Sequence, residues 1–267
     1  MFYLAKILDY YRVKDWFYHL GFIYLGMVYI SGSYAVPLKA AITGFILGSL
    51  YLGGGYAYNK LCDSQEINKL RLFYPLGCHA IFVFLGAYYL KENNIFFIIA
   101  VFLNILYSHP KYLLKKRHNL RVLLNGYFFG ALFLLGCLVI SGRLDMKICM
   151  MTAFFILVMY PYEIIHEISH FESDKVEYSA GLVRQYIRQI YFFLFLSSMA
   201  AYVLYSLLKL NISFAASALL FNIAFFIIVL HMDKREQFKA TEVNKIRSSL
   251  KYLGMLYGLL LGVSFIK

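Results

Sequence analysis

Nine apolar stretches spread along almost the whole chain constrain its fold more than any single motif. They lie at about 16–33, 36–58, 76–91, 94–108, 122–142, 147–166, 189–208, 211–231 and 249–266. A helix crosses a bilayer with ~20 mostly apolar residues, and most of the nine approach that length. The third and fourth are shorter, with only the polar residues Lys91–Asn94 between them, and read as a tight hairpin. Lipid offers the backbone no hydrogen bonds, so apolar segments of this kind close their own bonds as helices. Composition agrees: 61% of the 267 residues are apolar and only 15% are charged. That is too little polar surface to coat a soluble domain, and too apolar for disorder. The expectation is an all-α, polytopic membrane protein of nine transmembrane helices, a single transmembrane domain over 1–267. Cys62, Cys78, Cys137 and Cys149 have no metal-like spacing and do not suggest a disulfide framework. Residues 1–16 carry Lys6, Asp9, Arg12, Lys14 and Asp15 without a small-residue cleavage site, so they do not read as a cleaved signal peptide.

Nine spans sort the loops onto two sides. The side holding the N-terminus carries 20 of the 26 Lys and Arg; the other carries Lys39, Lys91, Arg143, Lys147, Lys209 and Lys267. The positive-inside rule places the N-terminal side in the cytoplasm. The net charge of +12 is therefore largely topological and does not point to nucleic acid. Acidic residues need not follow the basic ones, yet 12 of the 14 share the cytoplasmic side, leaving only Glu92 and Asp145 opposite.

Two polar runs stand out among them. Asn59-Lys-Leu-Cys-Asp63-Ser-Gln-Glu66 follows the second stretch. Glu163-Ile-Ile-His166-Glu167-Ile-Ser-His170-Phe-Glu172-Ser-Asp174 follows the sixth. On a helix, residues four apart share a face, so Asn59 aligns with Asp63 and His170 with Asp174; Glu167 lies three before His170. Carboxylate and amide oxygens stacked this way suit a hard cation such as Mg2+, which keeps several waters and is shared with substrate phosphates. A plainer reading exists for either run alone: Asn and Asp cap helices and solvate loops. Two such runs on one side, after even-numbered spans, favour function.

These residues resemble the UbiA superfamily of intramembrane prenyltransferases, whose members have nine transmembrane helices and aspartate-rich motifs after helices two and six. The first family motif is Asn-x3-Asp-x3-Asp; here Asn59 and Asp63 match and Ile67 replaces the last Asp. The second resembles Asp-x2-Asp-x-Glu-x-Asp; Glu172 and Asp174 match, Glu167 is a conservative change, and His170 replaces an Asp. Tyr107-Ser108-His109-Pro110 with Leu114-Lys115-Lys116 resembles the family's Tyr-Ser-x-Pro…Leu-Lys segment. Asn125 and Gly130 fit the start of its fifth helix, and Arg12-Val-Lys14-Asp15-Trp16 its N-terminal entry. Arg71 and Pro75-Leu76 remain of the family's Arg…Arg-Pro-Leu, with Tyr74 at the second Arg.

The resemblance implies transfer of an isoprenoid chain from a prenyl diphosphate to a small or lipid acceptor, with Mg2+-assisted diphosphate release. It implies Mg2+ at Asn59, Asp63, Glu172 and Asp174, with Glu66, Glu167 and His170 as supporting ligands. Lys115, Arg71 and Arg12 would contact diphosphate, and Tyr107 would line the reacting end. Asp63, Asp174, Lys115 and Tyr107 are the catalytic set this implies. The basic stretch 111–121 also has a topological reading, as an anchor to anionic membrane lipid.

Ile67 and His170 remove two family carboxylates, so an inactive or repurposed relative is an alternative. Imidazole is a poorer Mg2+ ligand than carboxylate. His166-Glu167-Ile168-Ser169-His170 also spells His-Glu-x-x-His, the pattern of zinc metalloproteases, including intramembrane ones. That reading leaves Asn59, Asp63 and the Tyr107–Lys115 segment unexplained. A transporter would carry midplane charges, and none is present here. Gly53-Gly54-Gly55, within the second stretch, reads as close helix packing ahead of a substrate-admitting kink.

Overall fold

The computed structural model describes residues 10–64, 69–90, 93–112, 114, 117–170, 180–233 and 240–266. Nine helices of twelve residues or more order these residues, and no strand occurs among them. They are α1 (Leu20–Ser31), α2 (Leu38–Asp63), α3 (Lys69–Tyr89), α4 (Asn94–Ser108), α5 (His118–Ser141), α6 (Met146–His170), α7 (Ala180–Leu208), α8 (Ile212–Asp233) and α9 (Ala240–Phe265). Seven are long and apolar enough to cross a membrane. The exceptions are α1, with 12 residues, and α4, with 15. A short helix, Val13–Trp16, and a 3-10 turn, Phe17–His19, lead straight into α1. The protein is a multi-pass integral membrane protein. Exposed apolar side chains such as Phe84, Phe195 and Leu259 suit lipid as the outer solvent.

Several helices run beyond the apolar stretches. α2 continues past 58 to Asp63, and α3, α7 and α9 begin at 69, 180 and 240, upstream of 76, 189 and 249. Hydropathy marks the part of a helix that matches lipid; hydrogen bonding carries the helix on into polar sequence. Pro75 lies inside α3. It has no N–H for the Arg71 carbonyl four residues earlier, and the Tyr10 hydroxyl donates to that carbonyl at 3.0 Å instead.

The chain divides into two compact units: residues up to Ser31 with Ala35–Cys149, and Gly32–Tyr34 with Met150–Lys267. In the first, α1 and α5 cross at backbone contact. A Cβ on Gly26 would overlap the Phe133 carbonyl, and one on Gly136 would overlap the Ile23 carbonyl. Cys137 Sγ donates to the Gly26 carbonyl at 3.5 Å across the same crossing. Helices in lipid gain little from apolar burial against each other, so small residues that allow close approach hold them together. The α2–α3–α4 seam is aromatic: Tyr51 stacks on Phe82 at 5.2 Å, and Phe82 meets Phe97 edge-on at 5.1 Å. Gly53, Gly54 and Gly55 are buried within a continuous α2, and a Cβ on Gly54 or Gly55 would meet side chains of α3 or α4, so the triplet serves close packing.

In the second unit, Asn222 of α8 ties to α7. Its amide nitrogen donates to Ser197 Oγ at 2.9 Å, Ser198 Oγ at 2.8 Å and the Leu194 carbonyl at 3.3 Å. Phe221 of α8 stacks on Tyr257 of α9 at 4.3 Å. Phe154 of α6 packs on Phe214 of α8 at 5.3 Å.

Because backbone carbonyls bound the Gly136 site, no rotamer relieves an added side chain. Gly136→Val is expected to lower the thermal midpoint of the purified protein in detergent by about 5–10 °C, from roughly 2–3 kcal/mol of overpacking. Gly254→Val, where an added Cβ meets nothing within 4 Å, is expected to leave the midpoint nearly unchanged.

Candidate functional site

The cytoplasm-assigned end of α2 carries the first polar run. Asn59 and Asp63 fall on one face of this helix because they are four residues apart within it. Ser108, the last residue of α4 and only 1% exposed, donates its hydroxyl to Asn59 Oδ1 at 3.1 Å. This bond turns the Asn59 amide and fixes where its oxygen points. Asp63 lies in the last turn and is exposed. Ser64 closes the helix, its backbone N–H donating to the Lys60 carbonyl at 3.2 Å. Glu66 lies outside the described residues, as does Ile67.

The other first-unit candidates surround this end. Arg12 has left-handed backbone, φ 52°. Its Nε pairs with Asp15 at 2.6 Å, and its guanidinium lies over the Tyr56 ring at 5.5 Å. Tyr56 precedes Asn59 by three residues, so Arg12 sits about one turn from the polar face. Arg71 is exposed, and its carbonyl accepts the Tyr10 hydroxyl at 3.0 Å. Tyr107 is half-buried and meets Phe128 edge-on at 5.5 Å; Phe128 in turn meets Tyr51 at 6.5 Å. An aromatic series thus runs from Tyr107 through Phe128, Tyr51 and Phe82 to Phe97. Lys115 lies outside the described residues.

The second run ends α6. Glu163 and Glu167 are both buried, at 3% and 2% exposure, and lie four apart on one face. His166 is half-buried, and Arg247 of α9 lies with Nη2 3.1 Å from its Nδ1. A guanidinium can only donate, so Nδ1 accepts and the neutral ring keeps its proton on Nε2. Glu163 Oε2 lies 3.9 Å from the same Nδ1. The Arg247 guanidinium thus sits on Nδ1 of His166, and this fixed positive charge disfavours a zinc ion beside it. His170 closes α6 with its side chain outside the described residues; Glu172 and Asp174 lie outside them as well. Among the described residues, no three His, Cys, Asp or Glu side chains gather as a metal centre would need.

The described donors fit a hard cation. Asn59 and Asp63 offer an amide and a carboxylate oxygen from one helix face, the amide held by Ser108. Oxygen donors suit Mg2+, whereas His166, the nitrogen candidate, is occupied by Arg247. Sequence reading had not singled out the part Ser108 plays, although it lies inside the Tyr107–Pro110 segment. Arg247 gave no local signal, being one of 26 Lys and Arg in the chain.

A family model described as the UbiA prenyltransferase family matches residues 68–250. No curated protein matches the sequence. Among solved structures, one reported for digeranylgeranylglyceryl phosphate synthase in membranes is similar, with TM-score 0.74 and 20% identity, over 100% of this chain and 99% of that one. A UbiA homolog from Archaeoglobus fulgidus bound to GPP and Mg2+ has TM-score 0.70 and 15% identity, over 98% and 99% of the chains. The same homolog bound to DMAPP and Mg2+ has TM-score 0.69 at 15% identity, with the same coverage.

Proposed function

The chain belongs to the UbiA prenyltransferase family, and on that premise we propose that it moves an isoprenoid chain from a prenyl diphosphate to a small acceptor, releasing diphosphate. The observation that carries this reading is the Asn59–Asp63 face, with its amide oxygen held in place by the buried Ser108 hydroxyl. The Mg2+-bound forms of the structural relatives, with GPP or DMAPP, support it.

In this reading the whole chain, 1–267, works as one prenyltransferase-like domain. Asn59 and Asp63, with Glu66, would hold Mg2+ from the first polar run, and Glu167, His170, Glu172 and Asp174 would hold it from the second. Such an ion would supply charge that offsets the departing diphosphate and so favours ionisation of the allylic C–O bond. Arg12, Arg71 and Lys115 bind the diphosphate oxygens as fixed cations. Arg12 is steered toward this role by its stacking on Tyr56, one turn from Asn59. Tyr107 presents an aromatic face at the reacting end, where positive charge develops on the departing allyl group. The aromatic series behind it keeps water from that carbon. The acceptor forms its bond to the allylic carbon as the diphosphate leaves with the C–O electron pair, and the acceptor's proton passes to the released diphosphate. The excess of basic residues on the N-terminal side supports a cytoplasmic N-terminus, with both polar runs on that side.

Purified protein in lipid nanodiscs is expected to release diphosphate from labelled prenyl diphosphates in a Mg2+-dependent manner. Asp63→Ala or Asp174→Ala is expected to abolish release, and unchanged activity in both would sink the site assignment. Release that is absent from the wild type would mark a repurposed relative, in keeping with Ile67 and His170. Ser108→Ala removes the group that orients Asn59, and partners of this kind typically tune metal affinity 10–100-fold. The Mg2+ concentration for half-maximal release is expected to rise about tenfold, with little change in the KM for the prenyl diphosphate.

A further inference from the structure

Residues 10–16 form a strap across α2 and α3 that is fastened on both sides of Arg12. Before Arg12, the Tyr10 hydroxyl donates to the Arg71 carbonyl of α3 at 3.0 Å, and the Tyr10 ring meets Tyr74 edge-on at 6.4 Å. After it, Trp16 is buried, and its indole Nε1 donates to the Tyr11 carbonyl at 2.7 Å. The Trp16 and Tyr11 rings both lie against Gly53 of α2, where an added Cβ would meet each at 3.6 Å. Arg12 is where the strap turns. Among the described residues, only Arg12 and Lys209 combine a side chain with positive φ. Such backbone is unfavourable for a long side chain and persists where the surroundings dictate it. Two contacts to Asp15 do so here. The Asp15 N–H donates to the Arg12 carbonyl at 2.9 Å, and Arg12 Nε donates to the Asp15 carboxylate at 2.6 Å.

The pair leaves one edge of the guanidinium open. Nε is committed to Asp15 and the group lies over the Tyr56 ring, yet among the described residues neither Nη atom has a hydrogen-bond partner. Stability does not account for the pair. The two side chains are 37% and 48% exposed, and ion pairs that face solvent contribute little to folding. Its location is more informative. Tyr56, Asn59 and Asp63 succeed one another at three and four residues along one face of α2. A guanidinium held over Tyr56 therefore stands in line with the two oxygen donors.

We infer that Asp15 is a positioning residue, which holds Arg12 by its Nε so that the two Nη groups are presented to the diphosphate of the prenyl donor, an inference that rests on the prenyl-transfer reading. A loose arginine loses rotamer freedom when it binds a ligand. Arg12, fixed at Nε and against a ring, has already lost much of it. Its planar fork can then meet diphosphate oxygens with paired N–H groups. Asp15 acts only through Arg12 and touches no reacting atom. An acid beside a phosphate-binding arginine can instead serve as a brake, by offsetting its positive charge. The two roles differ in sign: removing Asp15 weakens donor binding if it positions Arg12 and strengthens it if it restrains Arg12.

The test is a double-mutant cycle on the full chain in nanodiscs, read as the Kd of a non-ionisable thio-analogue of GPP in saturating Mg2+, with a thermal midpoint for each variant. Arg12→Ala is expected to weaken binding about tenfold. Asp15→Ala is expected to weaken it about fivefold, with a midpoint close to the wild type. Asp15→Asn keeps an acceptor oxygen for Nε and is expected to recover part of the loss. In the Arg12→Ala background, Asp15→Ala is expected to add nothing, because Asp15 has no other route to the ligand. Binding that is unchanged or tighter in Asp15→Ala overturns the inference, as does a second, equal loss in the double variant. An Asp15→Ala chain that does not fold overturns it too, since the residue would then serve the fold. A wild type that binds nothing overturns the prenyl-transfer reading, and this inference with it. Binding that is lost in Asp63→Ala but untouched by Asp15→Ala overturns this inference alone.

Discussion

Lipid cannot hydrogen-bond, and the rest of this structure depends on that one constraint. It forces the backbone into helices that satisfy themselves, and it moves most ionisable side chains to the helix ends. Polar side chains accordingly fall at helix ends within each unit: Asn59 and Asp63 at the end of α2 and Ser108 at the end of α4 in the first, Glu163 and Glu167 in the last turns of α6 in the second. The few polar groups left inside must be held tightly. Asn222 answers this with three hydrogen bonds to α7.

The same constraint explains what the amino-acid sequence reveals about the fold and what it conceals. Apolar stretches locate helices because only apolar residues dissolve in lipid, and all nine stretches have a helix in the structure. Seven of these helices have the length and hydropathy of a span on their own. Hydropathy says nothing about how far a helix continues into polar sequence, so α2, α3, α7 and α9 reach beyond the stretches that announced them. Those extensions matter, since Asn59 and Asp63 sit on a helix only because α2 continues to Asp63. The crossing of α1 and α5 is hidden for a different reason. Gly26 and Gly136 are two glycines among 18, and nothing local says that these two meet carbonyls of the facing helix.

The candidate site was legible where chemistry demands particular residues at fixed helical spacing, as with Asn59 and Asp63. It was illegible where a residue acts through a neighbour distant in sequence. Ser108 is 49 residues from Asn59, and Arg247 is 81 from His166. Arg247 also changes how a motif is understood. His166-Glu167-x-x-His170 spells a zinc pattern, but a guanidinium on Nδ1 commits the first histidine to another task. It joins α6 to α9 beside the buried Glu163, and the oxygen donors nearby remain suited to a harder ion.

The central claim is that this chain binds a prenyl diphosphate through Mg2+ and fixed cations at its cytoplasm-assigned helix ends. Isothermal titration with a non-ionisable thio-analogue of GPP, in nanodiscs, tests it without requiring turnover or knowledge of the acceptor. The account predicts saturable, one-to-one binding that needs Mg2+ and disappears in EDTA. Binding that is equally tight in EDTA, or no binding in saturating Mg2+, would contradict it.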